Sequence, residues 1–136
     1  MYTSMIAAAI EAELNSLGLF KAVEKTVTAK TLKSPPTVAV YLASNRKEAS
    51  KPTVTRNLGW DLVLVVSALG TDKGQAAAGD IVDAVSVAFT DWRPWTTGGV
   101  LPSEVDIVLE GTEGTLLIYT ARVTMKVMPS MIVNQG

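Results

Sequence analysis

The chain contains neither cysteine nor histidine. Disulfide staples, Cys or His zinc sites, thiol nucleophiles, His-based triads and imidazole proton shuttles are therefore excluded, which removes most mechanisms open to a small enzyme. Charge is scarce as well, 18% of residues against about 25% in an average soluble protein. With 12 Lys plus Arg and 13 Asp plus Glu the formal charge is −1, so the molecule has no overall field to attract a polyanion. No long apolar run is present: the longest stretch of large apolar residues, 62–66, is far shorter than the roughly 20 needed to cross a bilayer. The first residues lack a basic flank and carry Glu11 and Glu13 where a signal peptide stays apolar. They read as a mature helix, and the expectation is synthesis in the cytoplasm.

What the chain has in surplus is apolar content, 48% of its 136 residues, with a mean hydropathy of +0.28. One domain of this size buries roughly 70% of the surface its unfolded form exposes, so a single core suffices for residues 1–136. The remaining apolar surface points to an obligate oligomer, whose contacts resemble a domain core cut in half.

Ile6, Ile10, Leu14 and Leu17 recur at helical spacing, which predicts a helix over about 4–17 with Thr3 or Ser4 as N-cap and Gly18 as its stop. Residues 19–32 mix β-branched and charged side chains and suit an edge strand guarded by Lys21, Lys25 and Lys30. Pro35 and Pro36 lead into a second strand with Val38, Val40 and Leu42 on one side. Residues 44–57 have no apolar periodicity and hold Arg46, Lys47, Lys51 and Arg56 against Glu48 alone, so they read as a long mobile basic loop and a candidate docking element. The alternation of Leu58, Trp60, Leu62, Leu64 and Val66, with Val63 and Val65 between them, marks a central strand.

After Gly70, the residues Ala78, Ile81, Val82, Val85 and Phe89 form one helical stripe, capped by Thr71 or Asp72 and carried toward Trp92 until Pro94 stops it. Full burial of Ile81, Val82, Val85 and Phe89, at about 1.5–3 kcal/mol each, makes this helix structural. Its other face is also semi-apolar: Ala76, Ala77, Ala84 and Val87 lie among Lys73, Asp80 and Asp83 and would let a neighbouring chain approach closely. A hairpin follows, with 104–110 as one strand, 111–114 as the turn and 115–127 as an overlong strand, part of which would extend beyond the core. Its Leu117, Tyr119, Ala121, Val123, Met125 and Val127 share one face, while Thr120, Arg122, Thr124 and Lys126 form a wet one. Residues 129–136 form an apolar tail whose Met131, Ile132 and Val133 have no evident place in the core. Two helices and about five strands make this an α+β chain.

Asp61, Asp72, Asp80, Asp83 and Asp106 invite acid/base chemistry, and Asp80 and Asp83 share a helix face. A pair without a third ligand is more simply a solvated face, and a small carboxylate-dependent hydrolase is kept only as a distant alternative. Gly70, Gly74, Gly98 and Gly99 match neither a dinucleotide nor a P-loop pattern. The 44–57 cluster has no aromatic residue interleaved to stack on bases. Trp92 and Trp95 around Arg93 and Pro94 have the composition of an interface hot spot. The competing reading is that Trp92 closes the helix onto the sheet and Trp95 alone is free.

A short helix, a Pro-led strand, a polar loop, the strand "WDLVLVVSALG", an Ala-rich helix ending in "FTDWRPW" and a hairpin "VDIVLEGTEGTLLIYTARVTMKV" follow in order. This order resembles the tail-completion, or tail-terminator, proteins of Mu-like phages and prophages. Residues 60–128 carry most of the likeness. The resemblance implies a mainly antiparallel sheet with two helices packed on one face, in a subunit that assembles as a homohexameric ring. Such a ring caps the tail tube at its head-proximal end, stops its growth and offers a docking surface to the head and neck. Implied partners are further copies, the tail-tube protein and neck, head-completion or sheath proteins, with no membrane and at most non-specific passage of DNA along a lumen that Thr120, Arg122, Thr124 and Lys126 would line. The implied location is the virion tail, after assembly in the host cytoplasm. A neck or head-completion adaptor is the nearest alternative. The family lends no catalytic residue, no metal ligand and no cofactor, so the chain is expected not to be an enzyme.

Overall fold

The computed structural model describes residues 2–25, 35–48, 55–67, 72–96 and 98–132. In chain order these form α1 (Tyr2–Ser16), β1 (Ala22–Glu24), β2 (Thr37–Lys47), β3 (Arg56–Ser67), α2 (Asp72–Phe89), β4 (Glu104–Glu113), β5 (Leu116–Val127) and a 3₁₀ turn, Pro129–Met131. The sheet order is β1-β2-β3-β5-β4. β1 and β2 are parallel and every other neighbouring pair is antiparallel. The α+β architecture with a mainly antiparallel five-stranded sheet is as expected from the sequence.

Alternation decides which face is dry. Leu58, Trp60, Leu62 and Leu64 of β3 are at most 2% exposed, and their partners are Met125, Val123, Ala121 and Tyr119 on β5. On the other flank Val38 and Val40 of β2 oppose Leu64 and Leu62. All of these side chains point to one face, where Ile6, Ile10 and Leu14 of α1 and Val85 and Phe89 of α2 complete a single core. Full burial of Val85 and Phe89 stabilises the fold by about 1.5–3 kcal/mol each. Ile81 and Val82, expected in the same stripe, flank it half-buried. Leu42, expected inside with Val38 and Val40, is 44% exposed. One corner of the opposite face is dry too: Thr37, Ala39 and Val65 are fully buried there.

Several boundaries differ from the sequence expectation, each for a physical reason. α1 begins at Tyr2, ahead of the expected Thr3 or Ser4 cap, because Tyr2 packs against the core and its hydroxyl accepts a hydrogen bond from Asn45 Nδ2 at 3.2 Å. Gly18 does end the helix, with φ +66° and its N–H donating to Asn15 O. Of the strand expected over 19–32, the described part is β1, and 26–34 lie outside the described residues.

The two ends of the expected loop 44–57 are strand: β2 runs to Lys47 and β3 begins at Arg56, and of the connection between them 49–54 lie outside the described residues. The polar strand ends are held by hydrogen bonds from side chains and backbone. Arg56 donates from Nε to Asn45 Oδ1 and from Nη2 to Asn45 O at 3.1 Å, while Glu48 N–H donates to Thr55 O at 2.8 Å. In the hairpin the turn lies at Gly114 and Thr115, at the far end of the expected 111–114. Gly114, with φ +61°, takes the first position of a two-residue turn, where glycine is favoured. Gly111 instead adjoins a β-bulge between Leu109 and Gly111. β5 pairs with β3 from Leu116 to Val127, so it does not project from the sheet as its length suggested.

α2 ends at Phe89, short of Trp92. Asp91 there adopts φ 55°, and Ser103, 1% exposed, closes the terminus. Its Oγ donates to Phe89 O at 2.7 Å, its N–H donates to Trp92 O, and its carbonyl accepts from Asp91 N–H. The tail is also partly accounted for, since Ile132 packs against the core.

Two outcomes follow. Asp91→Gly should stabilise the protein by about 0.5–1 kcal/mol in urea or thermal unfolding. It removes the left-handed penalty of a β-carbon and a negative charge from a helix C-terminus; a loss of stability would show that the carboxylate has a compensating role. Gly99→Ala should be destabilising by more than about 1 kcal/mol, because Gly99 has φ +94° and a β-carbon there would meet Ile132 Cγ1 at 2.6 Å. An unchanged melting temperature would mean that Ile132 is not anchored.

Candidate functional site

The face of the sheet turned away from the helices carries the expected wet residues. Thr120 is half-buried, and Arg122, Thr124 and Lys126 are exposed along β5. Both cations are paired across the sheet. Arg122 makes a two-pronged contact with Asp61, through Nε to Oδ1 and Nη2 to Oδ2 at 3.0 Å, and Lys126 Nζ lies 3.3 Å from Glu48 Oε1. The hydrogen bond and charge of Asp61 raise the Arg122 pKa above its ordinary value; Glu110 adds to this and slight burial opposes it. Exposed pairs of this kind contribute at most about 1 kcal/mol. Their larger effect is to cancel the charge of the two β5 cations. Asp61, a candidate for acid/base chemistry, is thereby committed to a guanidinium.

A shallow groove of ≈ 590 Å³ opens on this face, between the ends of β2 and β5 and the segment 101–104. Its floor is low at Gly59, where a β-carbon would collide with Ser44 Oγ at 2.6 Å and lie 3.5 Å from Arg122 Cδ. The groove brings Arg46 of the expected docking element next to Arg122, Thr124 and Lys126. The rest of that element is not assembled there. Lys47 is exposed at the end of β2, Arg56 is committed to Asn45, and Lys51 lies outside the described residues.

On the opposite side of the molecule, the outer face of α2 groups exposed Ala76 and Ala77, half-buried Ala84 and Val87, which is 77% exposed. Exposed Asp80 and Asp83 share this face. Among the described residues no group of three or more His, Cys, Asp or Glu is placed to hold a metal ion, and no helix is long and apolar enough to cross a membrane.

Trp92 and Trp95 both pack against the core, so Trp95 is not a free side chain. Trp92 meets Phe89 edge to face, with ring centroids 5.0 Å apart. Trp95 Nε1 donates to Gly98 O at 3.3 Å. Met131 is 52% exposed, Ile132 is half-buried, and Val133 lies outside the described residues. Sequence reasoning missed Ser103 and Asn45. A lone serine beside a proline and an asparagine in a polar run carry no periodic signal, since their partners are Phe89, Tyr2 and Arg56, remote in sequence.

A second cavity, ≈ 360 Å³, lies between α1 and the sheet, bordered by Ala7, Ala8, Glu11, Lys25, Leu42 and Trp60 among others. The Trp60 Nε1 is buried with no hydrogen-bond partner among the described residues. Such an orphaned donor costs about 1–3 kcal/mol.

Comparison with known proteins bears on the fold. No protein-family model matches the sequence, and no curated protein matches it either. Among solved structures, a chain of the "Virion of native gene transfer agent (GTA) particle" has a similar fold, with a TM-score of 0.53 and 14% sequence identity over 79% of this chain and 78% of that one.

Proposed function

We propose that the chain is a structural subunit of a phage-type virion and, within it, the tail terminator: a ring that caps the tail tube, ends its growth and presents a surface to the head and neck. The observation that carries this reading is the likeness of fold to a virion subunit over most of both chains. The order of segments along 60–128, which resembles tail-completion proteins, narrows it to the tail. The surface agrees with a life in an assembly, since Leu42, Val87, Leu101, Val108, Leu109 and Met131 are all large apolar side chains at least 43% exposed. Contacts with neighbouring subunits would cover such side chains.

The open sheet face suits a lumen. A wall with free lysines and arginines would hold passing DNA by counterion release, whereas both cations of the β5 row are paired, Arg122 with Asp61 and Lys126 with Glu48. In this reading the protein acts by contact and has no catalytic group; Asp80 and Asp83 form part of a solvated or subunit-facing helix surface.

Deletion of the gene from the phage or prophage that carries it is the direct test, with particles viewed by electron microscopy. Tails of uncontrolled length without heads are expected. Tails of normal length joined to heads would refute the terminator role, and normal-length tails beside filled, unattached heads would indicate a neck adaptor instead.

A further inference from the structure

The sheet has two different edges, and their properties are complementary. β4, at one end, is ten residues long and is continued beside the end of β5 by the 99–101 segment, through the bridge between Val100 and Val127. Its outer backbone groups have no strand beside them among the described residues. Edges of soluble proteins are usually kept short, bulged or guarded by charge, above all by lysine, or by proline, because an open edge is a template for another strand. β4 contains neither residue, and Val108 and Leu109 on it are 53% and 48% exposed. Before its bulge, residues 104–109 pair with β5 without interruption, leaving a regular edge.

Charge selects the occupant. β4 carries the exposed acids Glu104, Asp106, Glu110 and Glu113 and no base, which is −4 over 104–113. A second β4 in a twofold pairing would set these acids against themselves. The opposite edge strand among the described residues, β1, is flanked by exposed Lys21 and Lys25 and contains Glu24, so 21–25 sums to +1 (two bases less one acid).

Strand direction agrees. β1, β2 and β5 run one way and β3 and β4 the other. A copy generated by rotation about an axis roughly parallel to the strands therefore presents its β1 antiparallel to β4, the favoured pairing. Repeating the operation gives one continuous sheet and a closed ring, in which neither edge is left open.

We propose that the edge of β4 is a self-assembly site that receives β1 of a second copy of this chain, head to tail. This deepens the ring reading above and rests on it for self-association, but its test reads subunit contacts and not tail phenotype, so the two can fail separately.

The absence of native cysteine makes the test clean. Val108→Cys and Ala22→Cys or Glu24→Cys, which lie on the open face of β4 and β1, are combined in one full-length chain and oxidised. A ladder of cross-linked multimers is expected from the double variants and none from any single variant. Cross-linked dimers from Val108→Cys alone would overturn the proposal in favour of a β4 to β4 contact. Silence of both double variants would also overturn it, whether the wild-type protein sediments as a multimer, so that its interface lies elsewhere, or as a monomer. As a second measurement, Val108→Lys should weaken self-association by about tenfold or more, equivalent to about 1.4 kcal/mol, with an unchanged circular dichroism spectrum. Unchanged association at intact fold would count against the edge.

Discussion

The register between β3 and β5 is the constraint on which the rest of the structure depends. Twelve residue pairs, from Arg56 with Val127 to Ser67 with Leu116, lock the two strands together without a bulge. Because side chains alternate, a slip of one residue would turn Leu58, Trp60, Leu62 and Leu64 to the open face and bring Gly59, Asp61 and Val63 beneath the helices. The cost of exposing that many large apolar side chains leaves one register. The candidate contact surfaces are then placed by default: Asp61 must face Arg122 and the polar row of β5 must lie on the open side, with β4 beyond it at the end of the sheet.

The irregularities fall outside this pair. β2 has its bulge between Leu42 and Ser44, and β4 has one between Leu109 and Gly111. A bulge lets the outer strands bend away from a central pair that cannot. Ser44 is thereby placed over Gly59, and the missing side chain of Gly59 leaves space for Ser44 and Arg122 in the groove. The open-face groove therefore lies where the sheet relaxes.

How much of this was legible in the sequence follows the kind of force involved. Elements fixed by burial were readable, because burial writes a period into the chain: Ile6, Ile10 and Leu14 for α1, the alternation from Leu58 to Val66 for β3, and Ala121 to Val127 for β5. Elements fixed by polar contacts at long range were not. Residues 44–47 look like a loop because their order depends on Asn45 meeting Tyr2 and Arg56. The end of α2 depends on Ser103, fourteen residues beyond Phe89. The hairpin offered two glycines of equal appeal, and only the pairing with β5 assigns Gly114 to the turn and Gly111 to the bulge. Among the candidate contact residues, the wet face of β5 was read from alternation alone, whereas the neutralisation of its cations by Asp61 and Glu48 required the fold.

The distribution of charge on the two faces and the two edges then constrains how copies of this chain, or partners, would meet it in an assembly. On the open face each β5 cation is matched by an acid on a neighbouring element. Along the edge of β4 the acids have no cation to themselves: Asp106 stands beside Arg122 in the ladder and Glu110 acts on the same guanidinium, which is already held by Asp61. Unmatched charge and exposed Val108 and Leu109 coincide on one strand. A surface that combines unpaired backbone groups, exposed apolar side chains and charge of a single sign discriminates by sign and by geometry together. In the proposed assembly it would reject its own twofold copy and accept a strand flanked by lysine. For a subunit that is to close a ring without forming twofold dimers or open aggregates, that combination supplies both the adhesion and the direction.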